Sequence, residues 1–166
     1  YTHCPDVCPT TLSGWARAKQ ALGADTSGVR YVFVSVDPQR DTPGLAAAYA
    51  KQFDASFAGT APSETELSMF LRDWGIAAYP EGDPRNNDYS VAHPAHTFVV
   101  DTEGRLRLMI PPGVRGEDLA RVAATRDASH VQLDVRIVLR RVRERERAAL
   151  AVRQQDVDVL AGHEGN

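Results

Sequence analysis

Tyr1-Thr2-His3-Cys4-Pro5-Asp6-Val7-Cys8-Pro9-Thr10 holds both cysteines of the 166-residue chain, and the rest of the sequence reads as support for that pair. A helix is expected to start inside this stretch. Pro9 suits a first helical position, and Leu12, Trp15, Ala16, Lys19 and Leu22 recur at the three- and four-residue spacing of one helix face. The thiols therefore stand at a helix N-terminus, where unpaired N–H groups and the positive end of the dipole favour an anion. One or both should ionise more readily than a free cysteine, and the thiolate is the form that reacts and binds metal.

Positions four apart on a helical turn bring their Cβ atoms to about 5–6 Å. Bridged cysteines need Cα atoms about 4.4–6.8 Å apart, so a disulfide and a shared metal are both within reach. The pair reads as a structural disulfide, a thiol redox pair, a metal clamp or two unrelated thiols. So short a loop stabilises little when closed, which weighs against a structural disulfide. Two soft sulfurs prefer Cu(I) or Zn, and either metal needs at least a third ligand.

With 43% hydrophobic and 25% charged residues, the composition is that of one globular domain able to bury a core. Residues 1–120 carry 10 basic and 15 acidic side chains and residues 121–166 carry 9 and 7, so neither part has the charge of a nucleic-acid binder. No run of eighteen apolar residues is present, and no secretory signal opens the chain. A signal or anchor upstream of Tyr1 is compatible with this.

Arg30 to Val36 is a β-branched and aromatic run that reads as a buried strand. It ends in Asp37-Pro38-Gln39-Arg40-Asp41-Thr42-Pro43, where Asp41 or Thr42 can cap a helix continuing through Leu45, Ala48, Tyr49 and Phe53. Asp37, Arg40 and Asp41 read either as a cap with a surface ion pair or as one wall of the cysteine pocket. Phe57-Ala58-Gly59 is a short strand or turn, and Ser63-Glu64-Thr65-Glu66 opens a helix running to Trp74-Gly75. Tyr79 to Tyr89 reads as a polar loop rich in turn residues. Thr97 to Asp101 and Arg105 to Ile110 read as a hairpin about Thr102-Glu103-Gly104, and a further helix is expected from Gly116. Strands separated by helices point to an α/β sandwich.

His93 is the candidate third ligand, because it lies on a loop before a strand rather than on a helix face that core packing would explain. His96 is its rival, His3 is a neighbouring base or a solvated side chain, and His130 and His163 fall in the tail.

Cys4-Pro5-Asp6-Val7-Cys8-Pro9, Val34-Ser35-Val36-Asp37-Pro38-Gln39-Arg40-Asp41-Thr42-Pro43 and Val91-Ala92-His93-Pro94 ahead of Phe98-Val99-Val100-Asp101 follow one another in an order that resembles the Sco/SenC family. The resemblance runs from about Tyr1 to Leu119. It implies a thioredoxin-like fold, with one copper ion, Cu(I) or Cu(II), bound by Cys4, Cys8 and His93, and with Asp37 beside the metal but not bound to it. It implies a metallochaperone serving the binuclear copper centre of cytochrome c oxidase, whose partner is that copper-centre subunit or another copper chaperone. The site would face the bacterial periplasm or the mitochondrial intermembrane space, with membrane attachment only through an upstream anchor. The alternative is a thiol-disulfide oxidoreductase using Cys4 and Cys8 without metal.

The resemblance also predicts geometry. The two sulfurs and one ring nitrogen of His93 are expected to converge within roughly 3–5 Å of one another, given metal–sulfur bonds of about 2.3 Å. Asp37→Asn is expected to alter metal affinity or thiol reactivity more than stability. The central strand of a thioredoxin-like sheet would precede Tyr1, so strands 30–36 and 97–101 are not expected to pair with each other directly; 131–138 is the spare strand-like segment. The domain division is expected at about residue 120, with 121–166 an extension that no longer resembles the family and carries a solvated charged helix over 140–147.

Overall fold

The computed structural model describes residues 1–23 and 28–114. The helix expected from Gly116, the strand-like segment 131–138, the charged run 140–147, the domain division near residue 120, His130 and His163 lie outside the described residues.

Helix α1 (Val7–Leu22) buries Leu12, Gly14 and Ala18. Strand β1 (Val32–Val34) follows, then helix α2 (Pro43–Lys51), strand β2 (Ala58–Thr60) and helix α3 (Glu64–Asp73). Strands β3 (Tyr79–Asp83), β4 (Asp88–Ala92), β5 (Thr97–Val100) and β6 (Leu106–Ile110) complete the described part. The alternation makes this an α/β fold, as expected.

Strand β1 runs parallel to β2, and Phe33 stands opposite Gly59. A glycine is required there: a Cβ on Gly59 would stand 2.0 Å from the Ala46 carbonyl oxygen, so the missing side chain lets α2 lie directly on β2. Ala46 and Ala50 are the residues of α2 that this packing buries completely, while Leu45 remains exposed. Helix α2 is capped by Thr42, whose side chain accepts from the Leu45 N–H. Helix α3 opens with the capping box foreseen at Ser63 and Glu66.

The stretch expected as an irregular loop, 79–89, is instead most of a hairpin. Strand β3 pairs antiparallel with β4 from Tyr79 opposite Ala92 to Asp83 opposite Asp88. A short 3-10 turn, Pro84–Asn86, connects them, with Asn87 in the left-handed region at φ 56°. Pro80, Gly82 and Pro84 hid the strand from a reading based on turn chemistry. The pairing survives them because Gly82 lies at φ 113° against Tyr89, where a Cβ would come within 3.2 Å of the Tyr89 Cβ.

Strands β1 and β5 belong to separate two-stranded sheets and do not pair with each other among the described residues. They are coupled through α1. The Trp15 indole donates to Thr97 Oγ1 at 3.1 Å at the start of β5, while Leu12 joins Phe33, Ala46, Ala50, Phe57 and Ala61 in the main core. Lys19 ties the far end of α1 to the turn after α2 through Asp54 Oδ1 at 2.7 Å. No helix among the described residues is long and apolar enough to cross a membrane.

Candidate metal centre

Helix α1 begins two residues earlier than Pro9 suggested. Its N-cap position, Asp6, makes no side-chain capping bond, and the Cys4 sulfur performs that service by accepting the Cys8 N–H at 3.4 Å. A sulfur that takes a hydrogen bond from an otherwise unsatisfied helix N–H is stabilised as a thiolate. Both cysteines are free thiols.

The two thiols are not equivalent. Burial opposes ionisation of Cys4, but the N–H groups of Cys8 and Asp6 and the Cys8 thiol outweigh it and hold Cys4 below the ordinary thiol value. Burial dominates at Cys8 and pushes it up to about 11, with the neighbouring Cys4 adding to the rise. The sequence predicts that one or both thiols are easier to ionise, and it is Cys4 alone that is shifted in that direction.

Three separated sequence motifs meet at Cys4. The buried cluster of Tyr1, Tyr89 and Val91 packs against Cys4, Val36 and Ala78, so the cysteine turn, the end of the β1 run and strand β4 share one wall. Strand β4 points Tyr89 and Val91 inward and ends just before His93. The half-buried imidazole meets the Tyr1 ring edge-on at 5.9 Å, and the Tyr1 backbone nitrogen lies 3.7 Å from Cys8 Sγ. His93 thus reaches the cysteines through Tyr1. The expected convergence of three ligand atoms is not present: among the described residues no group of three or more His, Cys, Asp or Glu side chains stands close enough to hold a metal ion.

The state of His93 nevertheless suits a ligand. Burial lowers its pKa, against the opposing effect of the Pro94 carbonyl, and so favours the neutral ring. Nδ1 lies 3.1 Å from the Pro94 carbonyl oxygen, an acceptor, which assigns the proton to Nδ1 and leaves the Nε2 lone pair free. His96, the rival, is exposed. His3 is also exposed, with Nδ1 3.8 Å from Asp41 Oδ1.

The Asp-Pro loop forms a buried network rather than a surface ion pair. Asp37 is 2% exposed and accepts from Arg40 Nε at 2.5 Å and from the Tyr89 hydroxyl at 2.6 Å. Arg40 also donates to the backbone carbonyls of Tyr89, at 2.9 Å, and Asn87, at 3.2 Å. Asp41 does not cap α2. It accepts from the Thr2 N–H at 2.9 Å, from the Thr2 hydroxyl, and from Ser35 Oγ at 2.5 Å, which binds the cysteine turn to the end of β1. Arg40 and Asp41, read from sequence as one possible wall of the cysteine pocket, take partners 49 and 39 residues away in Tyr89 and Thr2. The supporting roles of Tyr1 and Tyr89 were missed, because Tyr1 meets His93 and Tyr89 meets Asp37 only across distant parts of the chain.

The SCO1/SenC family profile matches residues 1–126. The chain belongs to the SCO1/SenC family. Among solved structures it is similar to apo Sco1 of Thermus thermophilus, with 41% identity, a TM-score of 0.65, and coverage of 75% of this chain and 72% of that one. It is also similar to copper-bound ScoI of Bradyrhizobium japonicum, with 32% identity, a TM-score of 0.66, and coverage of 74% and 77%. The α/β arrangement is the thioredoxin-like fold of these Sco proteins. Protein sco1 of Schizosaccharomyces pombe is 30% identical over 124 residues, which make up 73% of this chain and 47% of that one. The chain spans about half the length of the curated Sco relatives it matches.

Proposed function

We propose that this chain is a metallochaperone that takes one copper ion as cargo through Cys4, Cys8 and His93 and releases it to the binuclear copper centre of cytochrome c oxidase or to another copper chaperone. The observation that carries the reading is the meeting of the three motifs: Cys4, Val36 and Val91 share one buried cluster with Tyr1, whose ring meets His93. The copper-bound relative supports it. So does the chemistry of the donors, since two thiolates and a neutral imidazole suit Cu(I), accept Cu(II), and leave one side of the metal open to an incoming ligand. Loading requires His93 to turn past Tyr1 toward the sulfurs. In this reading Asp37 lies beside the metal without binding it, held by Arg40 and Tyr89, and the site faces the bacterial periplasm or the mitochondrial intermembrane space.

Anaerobic titration of the reduced protein with Cu(I), beside a His93→Ala variant, tests this. A 1:1 complex that weakens or disappears in the variant supports the three-ligand site. Unchanged binding in the variant overturns it, and no uptake by the parent protein overturns the copper reading.

The unequal thiols favour a second activity, thiol-disulfide exchange. The Cys4 thiolate would attack a partner disulfide and expel one partner thiolate. Cys8, after losing its proton, would then displace the other, leaving a Cys4–Cys8 disulfide and a reduced partner. This exchange does not need His93, so reduction that persists in His93→Ala separates it from copper transfer.

A further inference from the structure

Tyr49 carries a hydroxyl whose place the fold does not explain. Its ring belongs to the core, tilted against Phe33 at 5.2 Å and edge-on to Phe53 at 5.3 Å. Its Oη is sealed from solvent and has no hydrogen-bond partner among the described residues. Phenylalanine would fill the same space without stranding a buried polar group, which is costly. Tyr49 packs on the same cluster as Cys8. Its pKa is pushed up to about 12, first by burial and then by the charges of Cys8, Cys4 and Asp41. Tyr31 provides a contrast: its hydroxyl is also buried without a partner, but the charge acting on it is Asp54, on the far side of the core. Asp41 already accepts from Thr2 and Ser35, whereas the Cys8 sulfur, approached by the Tyr1 nitrogen at 3.7 Å, gains from a second donor when it carries charge.

Building on the copper reading above, we propose that Tyr49 is a positioning residue that donates a hydrogen bond from Oη to the Cys8 sulfur when that sulfur ligates copper. The hydroxyl then has its partner only in the loaded protein. In the empty protein it is a cost, so copper uptake repairs a defect built into the apo core. A hydrogen bond to a metal-bound thiolate also withdraws electron density from the sulfur, which tunes how firmly the metal is held.

The test is Tyr49→Phe in the full 166-residue chain, measured against the parent. Competition with a chromogenic Cu(I) chelator should show a 1:1 complex weakened roughly tenfold, the size of one hydrogen bond to a charged group. The Cu(II) form should show its sulfur-to-copper charge-transfer band at longer wavelength, because a sulfur without its donor gives up an electron more easily. The melting temperature of the empty variant should be unchanged or higher. Equal copper affinity with an unmoved band overturns the assignment, as does a fall in apo stability with copper binding intact, which would mark the hydroxyl as part of the fold. A parent protein that takes up no copper fails the copper reading itself and this inference with it. A parent and variant that bind alike fail the Tyr49 assignment alone.

Discussion

The guanidinium carbon of Arg40 stands 3.5 Å from the centroid of the Tyr89 ring, pinning the loop after β1 to the strand that leads to His93. The same guanidinium group donates to Asp37 while the Tyr89 hydroxyl closes the triangle from the other side. A buried charge pair of this kind adds little over an apolar pair of the same shape, but losing one partner strands the other. Arg40→Met should therefore cost about 3–5 kcal/mol, read as a fall in urea midpoint. Asp37→Leu added to Arg40→Met should recover much of that loss, and a double variant as unstable as the single one would contradict the pairing. Asp37→Asn, expected from sequence to act mainly on the site, should lower stability as well.

The cysteine turn makes a kinetic prediction. With Cys4 held below the ordinary thiol value and Cys8 pushed up to about 11, limited iodoacetamide at neutral pH should label Cys4 first. In Cys8→Ser the midpoint of the rate against pH should lie below the ordinary thiol value of about 8.5. In Cys4→Ser it should lie well above, and the reverse order would refute the asymmetry.

Asp41 couples the site to acid stability. Burial alone would raise its pKa, but hydrogen bonds from Ser35 and Thr2 outweigh that effect and hold the folded-state value below the ordinary one. A carboxylate depressed on folding contributes stability that is complete above its unfolded value, about 3.9, and that is lost as the pH falls through the folded value. Asp41→Asn should therefore lower the melting temperature at neutral pH and flatten its decline below about pH 4. Parallel curves for parent and variant would count against this role.

Gly59 tests the packing of α2. A methyl group there meets the Ala46 backbone, not a flexible side chain, so Gly59→Ala should cost about 3 kcal/mol or more, at or above the upper end of ordinary overpacking. Because α2 carries Tyr49, the same variant should also weaken copper retention. A variant with parental urea midpoint would show that α2 can retreat from β2 freely.

Local chemistry was enough to foresee much of this protein. The cap at Thr42, the capping box at Ser63 and Glu66, the helix after Cys8 and the hairpin at 97–110 all follow from side chains acting within a few residues of themselves. The order of Cys4, Cys8, Asp37 and His93 along the chain was likewise enough for the family. The hairpin at 79–92 was not legible, because β3 carries Pro80 and Gly82 and the two strands are held by pairing across the turn and by Tyr89 packing inward. Which thiol ionises was decided by the tertiary structure, since burial at Cys8 and donated N–H groups at Cys4 act in opposite directions at two positions of equal sequence standing. The pairing of Asp37 with Tyr89 and of Asp41 with Thr2 was decided there too. A buried carboxylate takes its meaning from what folding places against it, and for these two the deciding neighbours come from distant parts of the chain.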